Sequence, residues 1–247
     1  MNILDYHSSL DSVRFGFKIA KVSDFNNDPE SILNFLKSHD YRLVISKINC
    51  ENLELINKLE SLGFMVKDIQ ITYKYDLKNF DFDRVRSYKK SNVLLRDANY
   101  RDIEKLERIA YEAFKNYGHY SADKRLEPKK CNEIYKDWVK RSVEDNNIAE
   151  KIIIAEINGE VAGFLTFKLF NGINKYAAGG LGAVATEFKN NDIFRLITIE
   201  GLHWGKEIGL QWEEHNVLIT NYPVNRSFSK LGFKINRSFL TMHYWIA

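Results

Sequence analysis

Little in this chain is of the kind that names a function at once. It has two cysteines, Cys50 and Cys131, in 247 residues. A pair so far apart builds no disulfide framework and has no zinc-site spacing; it suits a reducing compartment. The six histidines, at 7, 39, 119, 203, 215 and 243, include no pair at ligand spacing, so no metal is expected. No apolar signal core opens the chain, and no run approaches the ~20 apolar residues that cross a bilayer. A cytoplasmic protein with no membrane partner is therefore expected. Charge of either sign is scarce in excess: +3 overall is too little to argue for a nucleic-acid partner. The densest basic group, Arg84, Arg86, Lys89 and Lys90, lies in a polar connector. What remains is a chain 45% hydrophobic and 28% charged, which can fill a core and keep a solvated surface.

The chain repeats itself. "ENLELINKLESLGFMVKDIQITYKY" in the first third and "TNYPVNRSFSKLGFKINRSFLTMHY" near the end share Asn52 with Asn221, Gly63-Phe64 with Gly232-Phe233, Thr72 with Thr241 and Tyr75 with Tyr244. One offset of 169 aligns them all. In the first copy, "YRLVISKI" is a short β-branched run, hence a buried strand. Leu53, Ile56, Leu59 and Leu62 follow at helical spacing, and Gly63 stands where a left-handed cap needs a residue without Cβ. Ile69, Ile71, Tyr73 and Tyr75 alternate, as in a strand with one buried face. The copy reads strand, helix, glycine stop, strand. Upstream, "SILNFLKSH" predicts a short amphipathic helix. "KNFDFDRVRSYKKSN", residues 78–92, breaks periodicity and marks a boundary, giving domains 1–85 and 92–247.

The second domain opens with a strand at 93–96. Ile103, Leu106, Ile109, Ala110 and Phe114 then line one face of a helix. A polar loop carrying Tyr117, His119 and Tyr120 precedes a second helix, striped by Ile134, Trp138 and Val139. Asn158-Gly159 is a hairpin turn between two apolar strands. "KYAAGGLGAVA" predicts a small-residue strand, and Asn or Asp starts the helix in "NNDIFRLITIEGLHWGKEIG". "WEEHNVLIT" is a strand, and the second copy of the repeat closes the chain. The order β-α-α-β-β-β-α-β-α-β is that of a mixed α/β (α+β) domain.

That order, ending in "NYPVNRSFSKLGFKI", resembles the GNAT superfamily of acyl-CoA N-acyltransferases over 92–247. "LDSVRFGFKIAKV" at 10–22, with the Tyr135–Trp138 helix, is similar to the dTDP-fucosamine N-acetyltransferase group, nucleotide-linked amino-sugar enzymes. The resemblance implies a truncated GNAT-like domain followed by a full GNAT domain, which accounts for the repeat. It implies an acyl group, acetyl in that group, passing from a thioester donor to the amine of a nucleotide-linked amino sugar or similar small molecule. Acetyl-CoA or another acyl-CoA is the implied co-substrate, and a homodimer is among the assemblies it allows. By the same resemblance, Leu181, Gly182, Ala183 and Val184 are the strand that holds the donor. Lys189, Asn190, Asn191, Asp192 and Arg195 occupy the pyrophosphate loop and the helix start, where anions are favoured. Asn221, Tyr222 and Phe228 occupy the catalytic segment, and Tyr117, His119, Tyr120 and Trp138 the acceptor side.

Two departures are visible in the residues. The family loop is glycine-rich, whereas 190, 192 and 194 are Asn, Asp and Phe; and Phe228 stands where the family has a tyrosine acid. Two alternatives follow: a GNAT-like binding or scaffold protein without turnover, or an acyltransferase fed by an acyl-carrier protein, which would need no pyrophosphate loop.

Overall fold

The computed structural model describes residues 6–25, 28–81 and 92–246. The boundary expected at 78–92 and its basic cluster lie mostly outside them. The described residues form a mixed α/β fold of mainly antiparallel strands with helices on the sheet faces. They divide into two compact units, and the division is not by chain order. Unit 1 holds residues up to 71, 116–131 and 237 onward; unit 2 holds 72–115 and 132–236. The chain-order stretches 1–85 and 92–247 each contribute to both.

Unit 1 begins with α1 (Ser9–Phe15), closed by Gly16 in the left-handed region, and β1 (Lys18–Lys21). α2 (Pro29–Ser38) starts on Asp28, whose carboxylate accepts the Ser31 N–H, with Pro29 in the first turn where no donor is missed. Ile32, Leu33 and Leu36 form its buried stripe. β2 (Tyr41–Asn49) pairs parallel with β1. α3 (Leu53–Ser61) follows, capped by Asn52, which accepts the Leu55 N–H at 3.1 Å. Gly63, at φ 95°, turns the chain into β3 (Met65–Asp76). The last strand, β9 (Lys234–Trp245), pairs antiparallel with β2, from Leu43↔Trp245 to Asn49↔Phe239. The core joins Phe25, Ile32, Leu36, Leu59 and Phe64 to Met242 of β9.

Unit 2 contains β4 (Leu94–Asp97), α4 (Ile103–Ala113), most of α6 (Pro128–Glu144), β5 (Lys151–Ile157), β6 (Glu160–Asn171), β7 (Lys175–Val184), α7 (Ile193–Glu207), β8 (Trp212–Leu218) and α8 (Tyr222–Leu231). The expected loop before α6 carries a short helix, α5 (Gly118–Ala122), which belongs to unit 1. Asn158 and Gly159 both have positive φ, as a two-residue hairpin turn requires, and they join β5 to β6. The order β3-β8-β7-β6-β5-β4 includes the end of β3. Gly201 lets α7 lie against β6: a Cβ there would meet Phe167 Cζ at 2.3 Å.

The repeat is thus two strand-helix-strand segments, β2-α3-β3 and β8-α8-β9, with the same local geometry. Asn52 and Asn221 precede their helices at φ/ψ of −87/66° and −81/66°, and Gly63 and Gly232 follow at 95° and 93°. Each segment gives its closing strand away. In unit 1, β2 pairs with β9 from the second copy; in unit 2, β8 neighbours β3 from the first.

Candidate functional site

Two places hold the sequence-predicted residues, one in each unit. In unit 2, β7 pairs antiparallel with β6 along its length but parallel with β8 only from Tyr176↔Trp212 to Gly179↔His215. Beyond Gly179 both strands continue, β7 to Val184 and β8 to Leu218, with no register between them. The strands part there. A β-bulge accompanies the parting: Gly180 and Leu181 stand opposite the single residue Thr166, whose hydroxyl accepts the Leu181 N–H at 2.8 Å. Since successive peptide groups of a strand point to opposite sides, alternate groups of 182–184 face the side that β8 has left. An extended ligand can pair with them there. Leu181 and Ala183 are buried, and Gly182 and Val184 partly exposed, so the residues offer a backbone edge more than side chains.

After the strand, the loop of Lys189, Asn190, Asn191 and Asp192 leads into α7. Asn190 has φ 67° and Asp192 φ 60°. The glycines are absent, yet the left-handed backbone remains, carried by the side-chain types that tolerate it best after glycine. Asp192 does not cap the helix with its side chain, contrary to the expectation of an ordinary acidic N-cap. Its left-handed backbone puts the carboxylate out of reach of the first-turn N–H groups, and Oδ1 instead accepts from Arg195 Nη1 at 3.0 Å. Arg195 therefore offsets the one negative charge at this helix start.

Asn221 precedes α8 without a side-chain cap bond; Asn225 holds that turn by donating to the Leu218 and Asn221 carbonyls. Tyr222 is 62% exposed. Phe228 is buried, with its ring among Tyr73, Phe194, His215 and Phe233. It has no proton to give. Trp138, half-buried on α6, stacks on Tyr135, which stacks on Phe114. At the other end of the β7–β8 pairing, a depression of about 380 Å³ is lined by Lys74, Asp76, Lys78, Lys206, Leu210, Gln211 and Trp212. Its lysines are engaged: Lys206 donates to the Leu77 carbonyl, Lys78 meets Asp76, and Lys74 sits over the Trp212 ring.

In unit 1, Tyr117 and His119 are half-buried, and Tyr120 is buried with its ring on Phe15. His119 ends a chain of hydrogen bonds that its sequence position gave no hint of. Its Nδ1 lies 2.9 Å from His243 Nε2, and His243 Nδ1 lies 2.9 Å from Asp123 Oδ2. Trp245 Nε1 donates to the same oxygen at 2.9 Å, and the Arg125 N–H to Oδ1. Burial pushes the Asp123 carboxyl up, but the bonds from His243, Trp245 and the Arg125 backbone outweigh it and hold the group ionised. Burial lowers both histidines, His119 strongly, and the two oppose each other's charge. With neutral rings and an acceptor-only carboxylate, the protons are assigned. His243 carries its proton on Nδ1, His119 donates from Nδ1, and His119 Nε2 keeps a lone pair. Beside them the Asp68 carboxylate oxygens are buried; burial raises this group, and the Thr241 hydroxyl and His119 N–H approach it without full hydrogen-bond geometry.

Among the described residues no group of three or more histidines, cysteines and carboxylates is placed to hold a metal, and no helix is long and apolar enough to cross a membrane. Sequence reasoning missed Asp123, His243 and Trp245 in unit 1 and Glu213 and His215 in unit 2.

No protein-family profile matches the chain, and no curated protein matches it. Solved structures do. A tandem GNAT protein from the clavulanic acid biosynthesis pathway is similar over 93% of this chain and 75% of its own, with TM-score 0.61 and 12% identity. A GCN5-related N-acetyltransferase from Sphaerobacter thermophilus gives 0.62 and 10% identity over 94% of this chain and 74% of its own. A GCN5-related glucosamine N-acetyltransferase region in a fungal multi-domain β-N-acetylglucosaminidase gives 0.62 and 12% over 92% of this chain and 30% of that one. The chain has the GNAT fold, and identities this low speak for the fold alone.

Proposed function

We propose that this protein is an N-acyltransferase, passing an acyl group from a thioester donor to the amine of a small molecule. The observation that carries the reading is the parting of β7 and β8 after Gly179↔His215, beside a bulge at Gly180-Leu181. A pantetheine arm is an extended amide chain whose length and hydrogen bonding suit such an edge. The left-handed Asn190 and Asp192 and the start of α7 supply N–H groups for a pyrophosphate, and Arg195 answers the Asp192 charge. Acetyl-CoA, or another acyl-CoA, is therefore the proposed donor.

A nucleotide-linked amino sugar is the finer proposal. It is supported by the sequence resemblance and by the amino-sugar activity named for one structural neighbour. Homodimerisation and a cytoplasmic setting belong to the same proposal.

A binding or scaffold protein without turnover is the second reading, favoured by one observation: Phe228 fills an apolar ring cluster where a proton donor is expected. A carrier-protein donor is the variant that the absent glycines favour. The test is a thermal-shift panel with acetyl-CoA, longer acyl-CoAs and free coenzyme A, run beside an assay of thiol release with a panel of amines. A ligand at 100 times its dissociation constant adds ~2.7 kcal/mol, which is readily measured. Binding with turnover supports the enzyme, binding without turnover the second reading, and no binding of any acyl-CoA the carrier-protein variant.

A further inference from the structure

Where the pairing of β7 and β8 ends at Gly179↔His215, the two faces of the sheet in unit 2 differ. Side chains alternate along a strand, so His215 lies on one face of β8 and Glu214 and Asn216 on the other. The His215 face is closed by rings. Phe194, in the first turn of α7, stands over Gly182 of β7: a Cβ there would meet Phe194 Cε2 at 3.3 Å. Phe194 packs edge-on against Phe228, and Phe228 against His215, at 5.6 and 4.9 Å between centroids. Tyr73 of β3 extends the layer, 5.3 Å from Phe228. The rings thus run from β7 to β8 beneath the place where the strands part.

The opposite face is open at the same level. Gly180 and Asn216 are the next residues of β7 and β8 after the last pair, and both are exposed. A Cβ on Gly180 would meet Thr166 Oγ1 at 2.6 Å. Thr166 alternates with Phe167, which packs on His215, so Gly180 and Thr166 belong to the Asn216 face. Glu214 and Leu218 share that face and are buried, so the opening is local to Asn216. Asparagine is a poor strand residue, and the strand itself does not account for it here. Its amide has a fixed direction: Thr72, fully buried on β3, donates its hydroxyl to Asn216 Oδ1 at 2.6 Å. Among the described residues Nδ2 has no partner, and it keeps both N–H donors for a ligand.

We propose that the acceptor amine reaches the gap from this open face, and that Asn216, aimed by Thr72, holds it by donating from Nδ2 to an oxygen beside the reacting nitrogen. The inference rests on the acyltransferase reading and deepens it by naming the acceptor class. That class is amines with a hydroxyl or ether oxygen on the neighbouring carbon, the pattern of an amino sugar. An N–H donor finds no acceptor in an ammonium group, whereas a hydroxyl or ether oxygen accepts from it. Gly180 leaves the floor bare, so a ring can come up to the gap with no side chain of that residue in its way. Asn216 is a binding residue, and Thr72 acts through it.

The experiment uses the full chain, acetyl-CoA and two amines matched in size, ethanolamine and propylamine, beside a nucleotide-linked amino sugar. Initial rates of thiol release give kcat and KM for each amine, and the thermal shift given by acetyl-CoA is measured separately. Asn216 is exposed, so Asn216→Ala should fold. It should raise KM for ethanolamine and the amino sugar about 3–10-fold, the worth of one neutral hydrogen bond. KM for propylamine, kcat and the thermal shift should stay as in the wild type. Thr72→Val keeps the side-chain shape and deletes the hydroxyl; it should move the same two KM values in the same direction, and by less. A folded Asn216→Ala in which KM is unchanged for all three amines, or rises equally for all three, would overturn the inference and leave the acyltransferase reading standing. So would a wild type that turns over only amines without a neighbouring oxygen. A wild type that acetyl-CoA does not stabilise and that releases no thiol with any amine overturns the reading, and this inference with it.

Discussion

Lowering the pH should unfold this protein through the His119–His243 pair of unit 1. Burial lowers both rings below the ordinary histidine value of 6.5, so the folded state keeps them neutral where the unfolded chain begins to take up protons. Stability contributed by the neutral pair is complete above pH 6.5 and is lost as the pH falls below it. Each histidine removes at most about 1.4 kcal/mol per pH unit over its window, so the two together remove at most about 2.7. Asp68 and Glu213, raised by burial, act in the opposite sense: the folded state binds their protons first and gains as pH falls. A difference measurement separates the two effects. Urea denaturation of the wild type and of His119→Gln, between pH 8 and 5, should give curves that diverge below pH 6.5. The variant should be flatter by up to about 1.4 kcal/mol per pH unit. Parallel curves would refute the neutral, hydrogen-bonded pair, and with it the lone pair assigned to His119 Nε2.

Asp123→Asn should cost about 1–3 kcal/mol, because Trp245 Nε1 and His243 Nδ1 share one carboxylate oxygen and the Arg125 N–H uses the other, so an amide must leave a buried donor unpaired. The urea midpoint reports it, and a variant of wild-type stability would remove Asp123 as the anchor. Gly201→Ala should cost about 1–3 kcal/mol by forcing Phe167 off its position, and a melting temperature unchanged within error would contradict the close α7–β6 contact. Asp192→Gly keeps the left-handed backbone and deletes the charge, so acetyl-CoA should bind about 3–10-fold tighter by calorimetry, the worth of one removed like charge. Unchanged affinity would place the pyrophosphate elsewhere. Residues 92–247 expressed alone would leave β8 without its β3 neighbour, so a spectrum of dispersed amide resonances from that fragment would count against the strand exchange described here.

Much of this was legible because its causes are local. Asn52 and Asn221 start helices, Gly63 and Gly232 stop them, and Asn158-Gly159 turns a hairpin, each through the backbone angles that one or two residues prefer. Apolar periodicity marks the strands and helices between, and a constant offset of 169 pairs the two copies. Even β7 stood out, as a run of alanines and glycines that reads as a small-residue strand. The rest depended on partners far along the chain. Nothing near Asn49 says that it pairs with Phe239, nor does anything near His119 say that His243, 124 residues away, meets it. The register that ends at Gly179↔His215 is likewise a property of two strands and the helices over them. Glu213 reads as one of two adjacent glutamates; the fold sets the His215 imidazole against it and the Trp212 indole N–H against Glu214. Sequence alone determined what each short segment becomes, because backbone sterics and capping act within a few residues. Only the tertiary structure decided which strands exchange, where two of them part, and which polar groups lose their water, because those depend on what packs across the fold.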